Sequence, residues 1–203
     1  MQQGAATSAA QLGAAPAEVA PAEAAPDEEA AVPLDLAALL ARLPDTKPLA
    51  AAQLVAALLR TGPDERVVVF GQWSGVLGAV GFALAEARLP FLSLAGTGLA
   101  ARLEALRRFG RAGEPRVLLL SSEGHASGIN LQCARNVILL HPHCPESVLG
   151  QGLQHRSLSE AAAYEAQAIG RVRRFPQTRE VCVYRLYVRG TVEEELLAAQ
   201  GIV

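Results

Sequence analysis

From position 66 onward, short branched apolar runs alternate with helix-length segments. Runs at 67–70, 91–94, 117–120 and 137–140 alternate with segments at 76–87 and 99–109. Strands that are apolar at every position, rather than at every second one, belong to a parallel sheet covered on both faces. The pattern therefore predicts an α/β fold with a mostly parallel sheet between two helical layers. A last strand is expected at 181–186. A closing helix is expected from Thr191, where Glu194 three residues later has the spacing of a capping box. Upstream, Leu34, Leu36, Leu39, Leu40 and Leu43 recur at helical spacing and are stopped by Pro44. A second helix starting near Pro48 carries Leu49, Leu54, Val55, Leu58 and Leu59. The first thirty residues or so hold alanine, proline and acid with almost nothing to bury, which predicts disorder. The expected division is a disordered tail at 1–32, lead-in helices at 33–65 and a globular α/β unit at 66–203.

Composition adds limits. A length of 203 residues with 51% apolar side chains suits one core and at most two domains. No apolar run approaches the length of a membrane span, so no membrane partner is expected. The absence of a basic residue before Arg42, together with several early glutamates, argues against a targeting peptide. Cys133, Cys144 and Cys182 are odd in number and unpatterned, which favours a reducing compartment. Net charge is −2, but it is unevenly placed. Residues 1–65 hold nine acidic and three basic side chains (−6), and residues 66–203 hold eleven acidic and fifteen basic (+4).

The stretch 164–177, YEAQAIGRVRRFPQ, sets three arginines directly after a polar, helix-compatible segment. Arg171 and Arg174 are three apart, so on a helical turn they share a face. Two planar guanidinium forks on one face match phosphate oxygens in a way lysine does not. Gln167 adds an amide one turn back, and Gly170 permits close approach of a ligand or backbone. A basic, solvated helix face is the bland alternative. The spacing Q-x-x-G-R-x-x-R resembles motif six of the superfamily-two helicases. The continuation QTREVCVYRLYVRGTVEEELL (177–197) resembles the tail of that motif in Swi/Snf-type DNA-dependent ATPases. The segment at 46–73 resembles the entry to the second helicase lobe of the same group.

That resemblance gives the loops expected roles, since an open sheet works at the carboxyl ends of its strands. Gln72, Trp73 and Ser74 follow the first strand and resemble motif four, with Gln72 and Ser74 expected to cap the next helix or meet a nucleic-acid phosphate and Trp73 expected in the core. Gly96, Thr97 and Arg102 follow the second strand and match the family's threonine and arginine, although Ala95 replaces its usual glycine. Thr97 reads first as an N-cap and second as a phosphate contact. The third loop, SSEGHASGINL (121–131), resembles motif five and is expected to lead into a short helix near Ile129. Ser122, Gly128 and Asn130 fit that pattern, whereas His125 and Ala126 stand where most members have two glycines. The connection at 141–165 is long and lacks the usual WNP sequence, resembling a divergent subset whose members include RING ubiquitin-ligase proteins. His141, His143 and Cys144 within it suggest zinc, but adjacent ligands fold poorly round one ion and no Cys-x-x-Cys pair is present, so no metal site is expected. Pro176 replaces the glycine usual after the arginine run.

The chain lacks a phosphate loop ending in Gly-Lys-Ser/Thr and an acidic strand end for magnesium. Its only lysine, Lys47, precedes proline, and no aspartate follows Asp64. The resemblance, over roughly residues 46–203, thus implies the RecA-like second lobe of a DNA-stimulated ATPase, without hydrolysis unless lobe one is supplied. Gln167, Gly170, Arg171 and Arg174 would complete a site for ATP with magnesium, with Arg174 as arginine finger. Gln72, Thr97, Arg102, Ser122, Gly128 and Asn130 would contact the DNA backbone. The implied partners are an N-terminal helicase lobe and double-stranded DNA or a nucleosome, in the nucleus. Two alternatives remain: a non-catalytic nucleic-acid or protein interaction module derived from such a lobe, and an unrelated nucleotide-binding α/β enzyme. The latter lacks a glycine-rich fingerprint after the first strand.

Overall fold

A computed structural model of the chain describes residues 46–95, 97–121, 129–145 and 157–203, together with Asp35, Ala38 and Leu39. The expected tail and most of the first lead-in helix lie outside the described residues. The second lead-in helix is α1, Lys47–Arg60, which has Pro48 in its first turn, where a missing N–H costs nothing. It buries Ala50, Ala51, Leu54, Val55 and Leu58.

The unit that follows is β1 (Val67–Gly71), α2 (Ser74–Glu86), β2 (Phe91–Ser93), α3 (Leu99–Phe109), β3 (Val117–Ser121), β4 (Asn136–Leu139), α4 (Leu158–Gly170), β5 (Cys182–Arg185) and α5 (Val192–Ala199). The strands form one sheet in the order β2-β3-β1-β4-β5, with every pairing parallel. Each strand side chain feeds one of two cores according to its parity. Val67, Val69, Val117, Leu119 and Ile138 pack with α1 and α2, while Val68, Phe70, Leu118, Leu120, Val137 and Leu139 pack with Phe109 of α3 and Ala168 of α4. Fully apolar strands and a helical layer on each face are thus two aspects of one arrangement.

Two local expectations change. Among the described residues no helix begins at or after Ile129 before β4: Ala134 N donates to Leu131 O at 3.0 Å, closing a single turn before β4 starts at Asn136. The cap of α5 is displaced by one residue at each end. Thr191 Oγ1 accepts from Glu193 N at 3.3 Å, and Glu194 Oε2 accepts from Gly190 N at 2.8 Å. The amino ends of the strands are fastened by polar side chains. Glu65, only 8% exposed, accepts from Arg135 Nε at 2.9 Å and from Asn136 Nδ2 at 2.7 Å. Arg116 Nη1 donates to the carbonyls of Leu59, Gly62 and Pro63, and Arg66 Nε donates to that of Phe109.

Candidate functional site: the arginine turn and the strand-end loops

Helix α4 starts where Ser157 accepts a hydrogen bond from Glu160 N at 3.2 Å, an N-cap with an acid in the first turn. It stops at Gly170, so Arg171 is its C-cap and the remaining arginines lie on an irregular turn rather than on a continued helical face. Val172 explains that geometry, because its side chain is fully buried among Ala168, Leu131 and the strand residues of the second core. The chain is thereby pulled inward between Arg171, which is half-buried, and Arg173 and Arg174, which are exposed. Gln167 is exposed one turn upstream, and open space lies where a Cβ on Gly170 would stand, so a ligand can approach there.

The backbone of this turn is tied to the loop before β4. Leu131 N donates to Arg171 O at 3.1 Å and Gln132 Nε2 donates to Arg174 O at 3.3 Å and to Phe175 O. Gln177 Nε2 donates to Gln132 O at 2.9 Å and Ala134 O at 2.8 Å. The peptide between Phe175 and Pro176 is cis. Asn130, expected on nucleic acid, is exposed and meets the same loop, with its Oδ1 accepting from Gln132 N and its Nδ2 donating to Gln132 Oε1, both at 3.2 Å. The structure therefore brings Asn130 and Arg174 onto two adjoining turns. Gln132 and Gln177, which hold those turns together, were not singled out by sequence. Their signal was faint: an amide two residues past the asparagine and another three residues beyond Arg174.

The other expected contacts lie at the opposite, carboxyl end of the sheet. Gln72 does not face solvent and is 2% exposed. Its Oε1 accepts from Cys144 N at 2.8 Å and its Nε2 donates to Cys144 O at 3.1 Å. Both ends of the amide are thus occupied by the chain, which corrects the expectation of a DNA contact. Thr97 is not the N-cap of α3; Gly98 is, and the Thr97 hydroxyl donates to Leu94 O at 3.2 Å. Trp73 is likewise the N-cap of α2, so neither Gln72 nor Ser74 caps it, and its ring stands 4.5 Å from that of His141. Arg102 is half-buried on α3, while Arg107 pairs with Glu104 and Arg108 with Glu114. Ser122, Gly128 and Gly96 lie outside the described residues.

The histidines form part of the interior. His141 is 3% exposed, and its Nε2 accepts from Gln72 N at 2.9 Å. Burial, with Lys47 and His143 nearby, pushes its pKa down to about 3, so the ring is neutral and acts as an acceptor. Glu165 of α4, also buried, accepts from His143 N at 2.8 Å and lies 3.7 Å from Arg185 Nε of β5, joining helix, loop and strand. Among the described residues no group of three or more His, Cys, Asp or Glu side chains could hold a metal ion.

A five-stranded parallel sheet between helical layers, with an arginine turn closing its fourth helix, defines a RecA-like helicase lobe. Residues 50–176 match the family described as helicase conserved C-terminal domain. Over 140 residues the chain is 36% identical to the DNA (cytosine-5-)-methyltransferase DMT5 of Cryptococcus neoformans var. grubii, covering 68% of this chain and 5% of that protein. It is 33% identical over 136 residues to the helicase-like transcription factor CHR27 of Arabidopsis thaliana, covering 66% and 12%. It is 32% identical over 145 residues to the ATP-dependent helicase fft1 of Schizosaccharomyces pombe, covering 71% and 14%. The solved C-terminal part of the Fun30 ATPase domain superposes with a TM-score of 0.59 at 25% identity, over 73% of this chain and 43% of that one. The chain belongs to the helicase conserved C-terminal domain family, within its Swi/Snf-type superfamily-two branch. It spans only 5 to 14% of the length of the three curated relatives named.

Proposed function

We propose that this chain is the second motor lobe of a Swi/Snf-type, DNA-stimulated ATPase, acting in chromatin remodelling or DNA translocation in the nucleus. The observation that carries this is the arginine turn. Arg173 and Arg174 are exposed on a backbone held at several points, and among the described residues their guanidinium groups take no hydrogen bond. Exposed forks on a fixed backbone suit a ligand with phosphate oxygens that comes from outside the lobe. Gln167, Arg171 and Arg174 would meet ATP held on an N-terminal helicase lobe, with Arg174 neutralising charge on the transferring phosphoryl group. Magnesium would be held mainly by that other lobe, which would carry the phosphate loop and the acidic strand end. Double-stranded DNA, free or on a nucleosome, would be gripped through Asn130 and Arg102 together with the loop that contains Ser122 and Gly128.

The interaction-module alternative draws on Gln72 and Thr97, whose polar groups bond to the chain itself. ATP turnover separates the two. This chain alone should show none above background, and the same lobe joined to its lobe one should show turnover that rises on adding duplex DNA. A joined protein that binds DNA yet never hydrolyses ATP would favour the module.

A further inference from the structure

We propose that Gln132 and Gln177 are positioning residues that set the arginine turn for phosphoryl transfer, an inference that rests on the ATPase reading above. The turn has no regular secondary structure of its own, because α4 ends at Gly170 and β5 begins only at Cys182. Main-chain bonds hold its first half, where Arg173 N donates to Ile169 O at 2.9 Å and Leu131 N to Arg171 O at 3.1 Å, but the stretch from Arg174 to Gln177 lies outside helix and ladder and holds one geometry only if other groups fix it. For that second half the side-chain fixing groups are two primary amides that run in opposite directions. Gln132, on the loop before β4, sends its Nε2 to Arg174 O and Phe175 O. Gln177, on the far side of the arginines, sends its Nε2 back to Gln132 O and Ala134 O. Gln177 N also donates to Arg174 O at 2.7 Å, and Gln177 Oε1 accepts from Arg179 N at 3.1 Å. The Arg174 carbonyl thus receives two donors while its side chain stays exposed and unengaged among the described residues. One end of the clasp rests on fixed ground: Leu131 and Ala134 are fully buried, and Ala134 lies two residues before the start of β4.

Such an arrangement fixes the backbone from which the guanidinium projects and leaves the guanidinium free for its ligand. A small displacement of a catalytic group can lower the rate by about 10²-fold without abolishing binding. Gln132→Met and Gln177→Met keep side-chain length and remove the donors. In the full protein carrying both lobes, with saturating DNA, each should lower kcat by about tenfold to a hundredfold while KM for ATP stays within about threefold. Combined with Arg174→Ala, neither should slow turnover more than about twofold below Arg174→Ala alone, because a residue that acts through Arg174 has nothing further to lose. A purely structural role would instead lower the melting temperature and multiply the loss in the double variant. Should Gln177→Met not fold, Gln177→Glu keeps the shape and loses the donor. Single variants with kcat within twofold of wild type, or full multiplication in the doubles, would overturn the clasp. If Arg174→Ala itself leaves turnover within about tenfold, the finger assignment fails first and the clasp's catalytic role fails with it.

Discussion

Gln72 joins the carboxyl ends of β1 and β4 with both ends of one amide, taking the N–H and the C=O of Cys144. Removing that amide leaves two backbone groups buried without partners, a penalty of about 1–3 kcal/mol each before relaxation. Gln72→Leu is therefore expected to lower the urea midpoint of unfolding by an amount equivalent to at least about 1 kcal/mol. A solvent-facing Gln72 would show almost no change. Its neighbour His141 has a folded pKa of about 3 against an ordinary 6.5. Between those values the unfolded chain takes up a proton that the folded chain does not, so this group withdraws stability as pH falls from about 6.5 toward 3. Above 6.5 its effect is flat. In His141→Asn, which keeps an acceptor for Gln72 N, the fall in stability between pH 6.5 and 4 should be shallower than in wild type. An unchanged slope in denaturant titrations would show that His141 does not titrate in this way. Neither role was legible in the sequence. A polar residue after a strand faces a ligand or the chain itself, and only the position of Cys144, seventy-two residues away, decides which.

Elements were legible in the sequence wherever apolar residues run uninterrupted or recur at helical spacing. The runs at 67–70 and 117–120 are buried at every position because helices cover both faces, and this is why their uninterrupted apolarity announced a parallel sheet. Helix α3 occupies the expected positions, Leu99–Phe109, and α2 begins two residues early, at Ser74. What stayed hidden were ends and turns, where one hydrogen bond decides the outcome. The expected helix near Ile129 gives way to a turn because β4 begins at Asn136, and the arginines leave the helical face because Val172 is drawn into the core. That anchoring yields a contrast between neighbours. Val172→Ala should cost about 1–3 kcal/mol through lost burial and a residual cavity. Arg174→Ala, exposed two residues later, should stay within about 0.5 kcal/mol of wild type. Equal effects in thermal denaturation would contradict the described turn.

For the whole molecule, the +4 charge of residues 66–203 overstates what an external polyanion meets. Arg66, Arg116 and Arg135 fasten the amino ends of the strands, and Arg107 and Arg108 pair with Glu104 and Glu114. The isolated chain should therefore bind duplex DNA weakly, with little sequence preference and with affinity falling as salt rises, because backbone contacts release counterions without reading bases. Fluorescence anisotropy that detects no binding at low salt, or binding indifferent to salt, would contradict the DNA contacts proposed. The family and the layers were readable from the arginine stretch and the strand pattern, while the separation of the arginine turn from Gln72 and Thr97, at opposite ends of the sheet, required the fold. The central claim is that Arg174 completes an ATP site formed with another lobe. Its most direct test is steady-state ATP turnover, with saturating DNA, of the two-lobe protein carrying Arg174→Ala. The account predicts a fall of about 10³ to 10⁵ with folding and DNA affinity nearly unchanged, and little rescue by Arg174→Lys, which lacks the planar fork. Turnover within about tenfold of wild type, under about 1.4 kcal/mol of barrier, would contradict it.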